Sequence, residues 1–203
     1  MSLRVVQVTF HPDPERRAPE ALLHARFSLV SSAIGAARSG VDVSVVQAAN
    51  ESRTIERDGV PFHFVDDVRA APMRLNGTLR VPRRPSRLIE HVVGLKPQVV
   101  HVHGLNYPLA IRQLTRALRG VPVLAQDHGS APLTGLRRDA QRWALRPLAG
   151  VAFTAREQAV PFVETSVFPP SLPVFEVLGG SNHFTPGDVG EARAATGLFG
   201  DPC

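Results

Sequence analysis

The chain has 203 residues, 43% of them hydrophobic and 20% charged, which is ordinary for a globular protein with room for one full-sized core and not for two. Its formal net charge is +5 and its isoelectric point is about 10.8. All but one of the 23 basic residues are arginine. A basic chain favours anionic partners, but no stretch interleaves arginine with stacking aromatics, so nucleic acid is not expected among them. The single cysteine, Cys203, is the last residue, which leaves no disulfide framework and no cysteine metal cage within the chain. No run reaches the roughly 18 apolar residues of a membrane span. Residues 5–10 are apolar but too soon broken by Pro12 and Pro14 for a signal peptide. A cytoplasmic protein is expected, with peripheral membrane contact open to it through the basic surface.

Residues 3–10 form an apolar run that predicts a first strand, followed by a proline-rich loop opening on His11. From residue 20 the apolar spacing changes to threes and fours. Leu23, Phe27, Val30, Ile34 and Ala37 lay one stripe on a single helix, which Gly40 ends. Residues 41–48 and 60–65 predict two more strands, with Pro61 marking an edge or a strand start. Strand, helix, strand is a βαβ opening, expected to be parallel and right-handed. Residues 66–87 carry three prolines and six arginines and read as a solvated loop, with an anion- or acceptor-binding flap as the alternative.

Residues 88–95 predict a helix and residues 98–104 a buried strand ending in His103-Gly104. Asn106 is placed to cap the next helix, with Pro108 in its first turn, Ile111, Leu114 and Leu118 inward, and Gly120 at its end. Residues 121–126 predict a strand that leads into Asp127-His128-Gly129. The helix expected over 136–148 turns Leu136, Ala140, Trp143 and Ala144 inward and Arg138, Arg142 and Arg146 outward as a solvated stripe, or as one facing anionic lipid. A strand at 150–154 precedes Thr154-Ala-Arg-Glu157, a capping-box pattern that gives Glu157 a structural rather than catalytic role. A last strand at 174–178, a turn over 179–187 and a helix between Asp188 and Gly197 complete the chain. The alternation predicts one α/β domain, a Rossmann-like, mostly parallel sheet flanked by helices.

In such sheets ligands bind outside the carboxyl ends of the strands. His11, His103 and His128 all fall there, and imidazole can bond a sugar hydroxyl or phosphate oxygen or act as a base near neutral pH. The complete dinucleotide and P-loop fingerprints are absent, as is the Gly-x-Ser-x-Gly elbow. His101 and His103 share a strand face and form a conceivable metal pair, although a packed position within the strand is expected for His101.

Four segments together resemble the amino-terminal half of a family 4 glycosyltransferase: Pro97-Gln-Val-Val-His-Val-His-Gly104, Val123-Leu-Ala-Gln-Asp-His-Gly129, Val151-Ala-Phe-Thr-Ala-Arg-Glu-Gln158 and Glu176-Val-Leu-Gly-Gly-Ser-Asn-His-Phe-Thr-Pro186. The resemblance implies a GT-B fold, in which two Rossmann-like domains face each other across a cleft. It also implies transfer of a sugar from a nucleotide sugar to an acceptor with retention of configuration, without a metal or cofactor. By that likeness residues 1–184 are the acceptor-binding domain, and residues 185–203 are the connector toward a second domain that holds the nucleotide sugar. His128, with Gly129 beside it, meets the donor sugar as the catalytic histidine, and His103, Asn106 and His11 line the acceptor side. The loop beginning His11-Pro-Asp-Pro departs from the glycine-rich loop usual in the family. The chain alone is expected to lack transfer activity. Two other readings stand beside this one. They are a non-catalytic acceptor- or nucleotide-binding module, and a metal-dependent hydrolase using His101, His103, His11 and His128.

Overall fold

The computed structural model describes residues 2–67, 73–75, 79–81, 85–177 and 187–197. The first strand, β1 (Arg4–Thr9), alternates its side chains in a way that sets up the rest of the domain. Val6 and Val8 are fully buried on one face, while Gln7 and Thr9 turn to the other, because successive strand residues point to opposite sides. Helix α1 (Pro19–Ala25) and helix α2 (Phe27–Arg38) follow. The single helix expected here is broken at Arg26, whose φ of −105° and ψ of 38° leave the helical region. Phe27 is consequently 45% exposed, and the buried stripe runs through Leu22, Leu23, Leu29, Val30, Ala33 and Ile34.

Strand β2 (Asp42–Ala49) pairs parallel with β1. Beyond it the structure adds a strand that the residues had not suggested: β3 (Arg53–Arg57) runs antiparallel to β4 (Val60–Asp66). Pro61 therefore stands at a strand start and not at the sheet edge, which β3 occupies. The region expected to be a loop contains a short antiparallel ribbon, β5 (Met73–Leu75) with β6 (Leu79–Val81); the rest of it, 68–72, 76–78 and 82–84, lies outside the described residues. The chain returns through α3 (Ser86–Gly94) to β7 (Val99–His103), then runs α4 (Pro108–Ala117), β8 (Val123–Gln126), α5 (Leu136–Leu145), β9 (Gly150–Phe153), α6 (Val160–Glu164), β10 (Val174–Glu176) and α7 (Val189–Thr196).

The main sheet has the order β10-β9-β8-β7-β1-β2-β4-β3 and is parallel except for β3. The direction of winding reverses between β1 and β7, and in a doubly wound sheet that switch point opens a crevice at the carboxyl ends. One face of the sheet buries Val6, Val8, Val100, Val102, Ala125 and Val151 beneath α3 and α4 residues such as Leu88, Val92, Ile111 and Leu114. On the other face α1 and α2 pack over Val43, Val45, Phe62 and Phe64. Past β1 that second face changes character and becomes polar.

Three local expectations need correction. Asn106 does not cap α4: the cap position is Tyr107, with no side-chain cap bond, and Pro108 sits in the first turn. Thr154 and Glu157 form no capping box. The Thr154 hydroxyl donates instead to Gln158 Oε1 at 2.7 Å, the helical turn Arg156–Ala159 has no side-chain cap, and Glu157 is exposed. Helix α5 is rotated from its expected orientation. It buries Ala144, as expected, together with Gln141 and Leu145, and leaves Leu136 88% and Trp143 50% exposed. Leu145 and Leu148 supply the apolar contacts of the inner face, and Gln141 Oε1 accepts the Leu133 N–H at 2.9 Å, which ties the preceding loop to that face. By contrast, Asp188 caps α7 by accepting the Glu191 N–H, and Gly197 closes it at φ 68°. Residues 179–186 of the expected turn, and residues 198–203 after α7, lie outside the described residues.

Candidate functional site

Parallel register places Gln7 beside His101, and His101 beside Leu124, on one sheet face. His103 lies beside Gln126 in the same way. Gln7, His101, His103 and Gln126 floor a cavity of about 600 Å³ that is walled by Arg26 at the α1–α2 break, by Ser28 and Ser32 of α2, and by Asn106, Tyr107 and His128 from the loops. All three histidines expected at the rim line it. His101, expected to be packed away in the strand, lines it too, its side chain turned to the same face as that of His103.

The two His-Gly pairs deliver their imidazoles by the same device. Gly104 and Gly129 have φ of 95° and 91°, a conformation that glycine enters without steric cost, so the chain turns sharply as it leaves β7 and β8. The Gly104 N–H donates to Gln126 O at 2.7 Å. Asp127, fully buried, accepts the N–H groups of Gly129 and Ser130 through Oδ2 at 2.8 and 2.9 Å and the Ser130 hydroxyl through Oδ1. This Asx-type turn holds His128 at the cavity mouth.

His103 Nδ1 lies 3.2 Å from His128 Nε2, and His103 Nε2 lies 3.2 Å from Gln7 Oε1. The rings of His103 and His128 are nearly parallel, with centroids 5.4 Å apart. An amide oxygen only accepts, so His103 donates from Nε2 to Gln7. A neutral imidazole then has only an acceptor at Nδ1. His128 must donate there from Nε2, which leaves its own Nδ1 as an open acceptor. The environment keeps these rings neutral. Burial lowers the pKa of His103 well below the ordinary value, and His101 and His128 add to the effect. Burial pushes His101 down to about 4, with His128 contributing and a bond to Gln126 opposing. Burial also lowers His128, opposed by Asp127. His11 is lowered first by burial and then by Arg26, against Asp13, and its Nδ1 meets the Tyr107 hydroxyl at 3.0 Å.

Thus His103 and His128 touch directly, while His11 and Asn106 share their cavity without bonding either. Gly129 acts through the backbone turn. Among the described residues no three His, Cys, Asp or Glu side chains converge in a way that would hold a metal ion. Sequence reading missed Gln7, Thr9, Arg26 and Ser32. For Gln7 and Thr9 a signal was present: after Arg4 they are the polar positions on an otherwise valine-lined strand.

A doubly wound α/β sheet with a polar cavity at its switch point is the architecture of a ligand-binding Rossmann-like domain. Residues 28–164 match the family model for Glycosyltransferase Family 4, and the chain belongs to that family. Among solved structures it is similar to sucrose-phosphate synthase from Thermosynechococcus elongatus, with a TM-score of 0.58 and 15% identity over 96% of this chain and 53% of that one. It is also similar to a UDP-forming α,α-trehalose-phosphate synthase from Burkholderia vietnamiensis, with a TM-score of 0.51 and 12% identity over 79% of this chain and 42% of that one. The chain therefore spans about half the length of these two proteins. None of the curated proteins matches it. At these identities the likeness is one of fold, and the fold agrees with the amino-terminal half of a GT-B enzyme expected from the motifs.

Proposed function

We propose that this chain supplies one wall of the cleft of a glycosyltransferase that moves a sugar from a nucleotide sugar to an acceptor with retention of configuration. Residues 1–184 would be the acceptor-side domain and residues 185–203 the link to a donor-binding domain. The observation that carries the reading is the His103–His128 contact of 3.2 Å at the mouth of the cavity. In this proposal His128 is the catalytic histidine. Its open Nδ1 accepts a hydrogen bond from a donor-sugar hydroxyl, and its ring stays neutral beside the charge that develops at the anomeric carbon, a placement in which oriented dipoles stabilise a transition state. The turn at Gly129 sets that ring against the donor. His103, Asn106 and His11 face the acceptor, with Tyr107 orienting His11.

The nucleotide would be held mainly by the second domain, and the cavity in this half takes the sugar and the acceptor. A cytoplasmic enzyme fits the reading, and its net charge of +5 supports peripheral contact with an anionic membrane. No helix among the described residues is long and apolar enough to cross one. Two measurements test the proposal. Purified 1–203 should show no sugar transfer, and robust transfer would overturn the division of labour. In a polypeptide that includes the donor-binding domain, His128→Ala should lower kcat by about a hundredfold or more, the scale of a lost oriented donor or acceptor group, with an unchanged circular dichroism spectrum. Turnover near wild type would remove His128 from the mechanism.

A further inference from the structure

Helix α5 presents its apolar stripe to solvent. Leu136, Ala140 and Trp143, spaced i, i+4 and i+7, lie on one side of the helix; Gln141 and Leu145 on the far side are buried, as is Ala144 at the margin of the stripe. Leu136 is 88% and Trp143 50% exposed, and Leu133 in the loop just before the helix is 39% exposed. Ala140 is exposed as well, and the Trp143 ring is partly covered by Arg112 of α4. Single exposed apolar residues are commonplace, but a stripe on one helix face marks an interaction surface.

The flanking charges identify the partner. On α5 and its C-cap stand Arg137, Arg142 and Arg146, all exposed. The adjoining helix α4 contributes Arg112, whose guanidinium sits 4.7 Å from the centre of the Trp143 ring, and Arg116 one turn further on. The acid on these two helices is Asp139, which lies 3.7 Å from Arg142. Arg142 also donates to the carbonyls of Ser166 and Thr165, which fixes the helix against the segment after α6. An apolar ridge containing a tryptophan, bordered by arginines on a rigid helix, matches the boundary between acyl chains and anionic head groups. Tryptophan is suited to that boundary because its ring is apolar and its N–H is polar. A protein partner would need acidic groups around an apolar groove, and an anionic bilayer offers both features together.

We infer that the Leu136–Trp143 face of α5, with Leu133 and the arginines around it, docks the protein on an anionic membrane surface. This deepens the membrane contact proposed above by naming the surface, and it is independent of the roles given to the histidines. Because α5 begins eight residues after His128 and its amino end is at the carboxyl rim of the sheet, docking sets the cleft mouth beside the bilayer.

Trp143 is the sole tryptophan of the chain, so fluorescence reads this surface without labelling. Purified 1–203 is titrated with vesicles of phosphatidylcholine alone, and with vesicles in which a third of the lipid is phosphatidylglycerol. The anionic vesicles should shift Trp143 emission to the blue and allow quenching by brominated acyl chains, and the neutral vesicles should do neither. Leu136→Glu should weaken partitioning by about tenfold or more, the scale of one lost leucine burial. Arg137→Gln combined with Arg146→Gln should weaken it by about tenfold or more at low salt, given the attraction of each arginine to an anionic surface. Arg57→Gln, on the far edge strand, should leave it within about twofold. Since Leu136 is exposed, its replacement should leave the circular dichroism spectrum unchanged. Unmoved Trp143 emission on anionic vesicles would overturn the inference. So would binding that persists in Leu136→Glu, which would indicate attachment by net charge elsewhere, or a concentration-dependent blue shift without lipid, which would indicate a second copy as the occupant.

Discussion

The chain Gln7–His103–His128 fixes which nitrogen of His128 is open, and replacing Gln7 with glutamate should reverse it. In the wild type the Gln7 oxygen accepts from His103 Nε2, His103 Nδ1 accepts from His128 Nε2, and His128 Nδ1 is unprotonated. Gln7→Glu is nearly isosteric but places a carboxylate where the amide oxygen sits 3.2 Å from His103 Nε2. With charge centres about 4 Å apart and an effective dielectric of about 20, the attraction is about 4 kcal/mol, or about three pKa units. That opposes the depression that burial and the neighbouring rings impose on His103 and favours an imidazolium near neutral pH. A charged His103 donates from both nitrogens. His128 must then accept at Nε2 and carry its proton on Nδ1. Long-range ¹⁵N–¹H correlation spectra of histidine-labelled protein distinguish these states directly. Wild-type protein should show the Nε2–H tautomer for His128, and Gln7→Glu should show Nδ1–H with a protonated His103 at pH 7. Spectra that are the same for both proteins, or an Nδ1–H tautomer in the wild type, would refute the relay.

Two further outcomes follow from the same geometry. The folded-state pKa values of His101, His103, His128, His11, His63 and His91 are all lowered, each first by burial. The unfolded chain therefore binds more protons, and stability should be full above about pH 6.5 and lost as the pH falls toward the folded-state values. His101 alone, at about 4, should cost about 2 kcal/mol at pH 5, visible as a falling Tm between pH 7 and 5; a Tm that is flat over that range would contradict the buried, neutral cluster. Asp127→Ala removes the acceptor for the Gly129 and Ser130 N–H groups and should destabilise the fold by about 2 to 4 kcal/mol, measured by urea unfolding, and broaden the His128 resonances; a loss below about 0.5 kcal/mol would show that the turn holds itself.

The strands were legible because β1, β7, β8 and β9 are short runs rich in valine and other apolar residues, bounded by turn residues. The site was legible where chemistry and turn geometry coincide, at His103-Gly104 and His128-Gly129. It was illegible where function rides on a strand: Gln7 and Thr9 interrupt β1 so mildly that the run still reads as core. β3 escaped because Arg53–Arg57 is mainly polar on both faces, as an outermost strand can be. Helix α5 was misjudged because hydrophobic phase is a reliable guide only when apolar residues have no better use than the core. Here Leu145 and Leu148 fill the core beside a buried glutamine held by a backbone N–H, and Leu136 and Trp143 turn outward.

That rotation joins two properties of the chain that would otherwise be separate. The segment between His128 and Leu136 begins in the Asp127 turn and ends in the loop fastened to Gln141, so both of its ends are held by buried side chains. A helix fixed in this way cannot roll its apolar stripe inward without breaking the Leu133–Gln141 bond, and such a roll would also pull on the loop leading back to His128. The helix that exposes Leu136 and Trp143 is therefore tied to the same hydrogen-bonded loop that leads from the cavity. A substitution at Gln141 should thus affect both features, altering Trp143 exposure and His128 order together, whereas Leu136→Glu should change lipid binding and leave the His103–His128 contact intact.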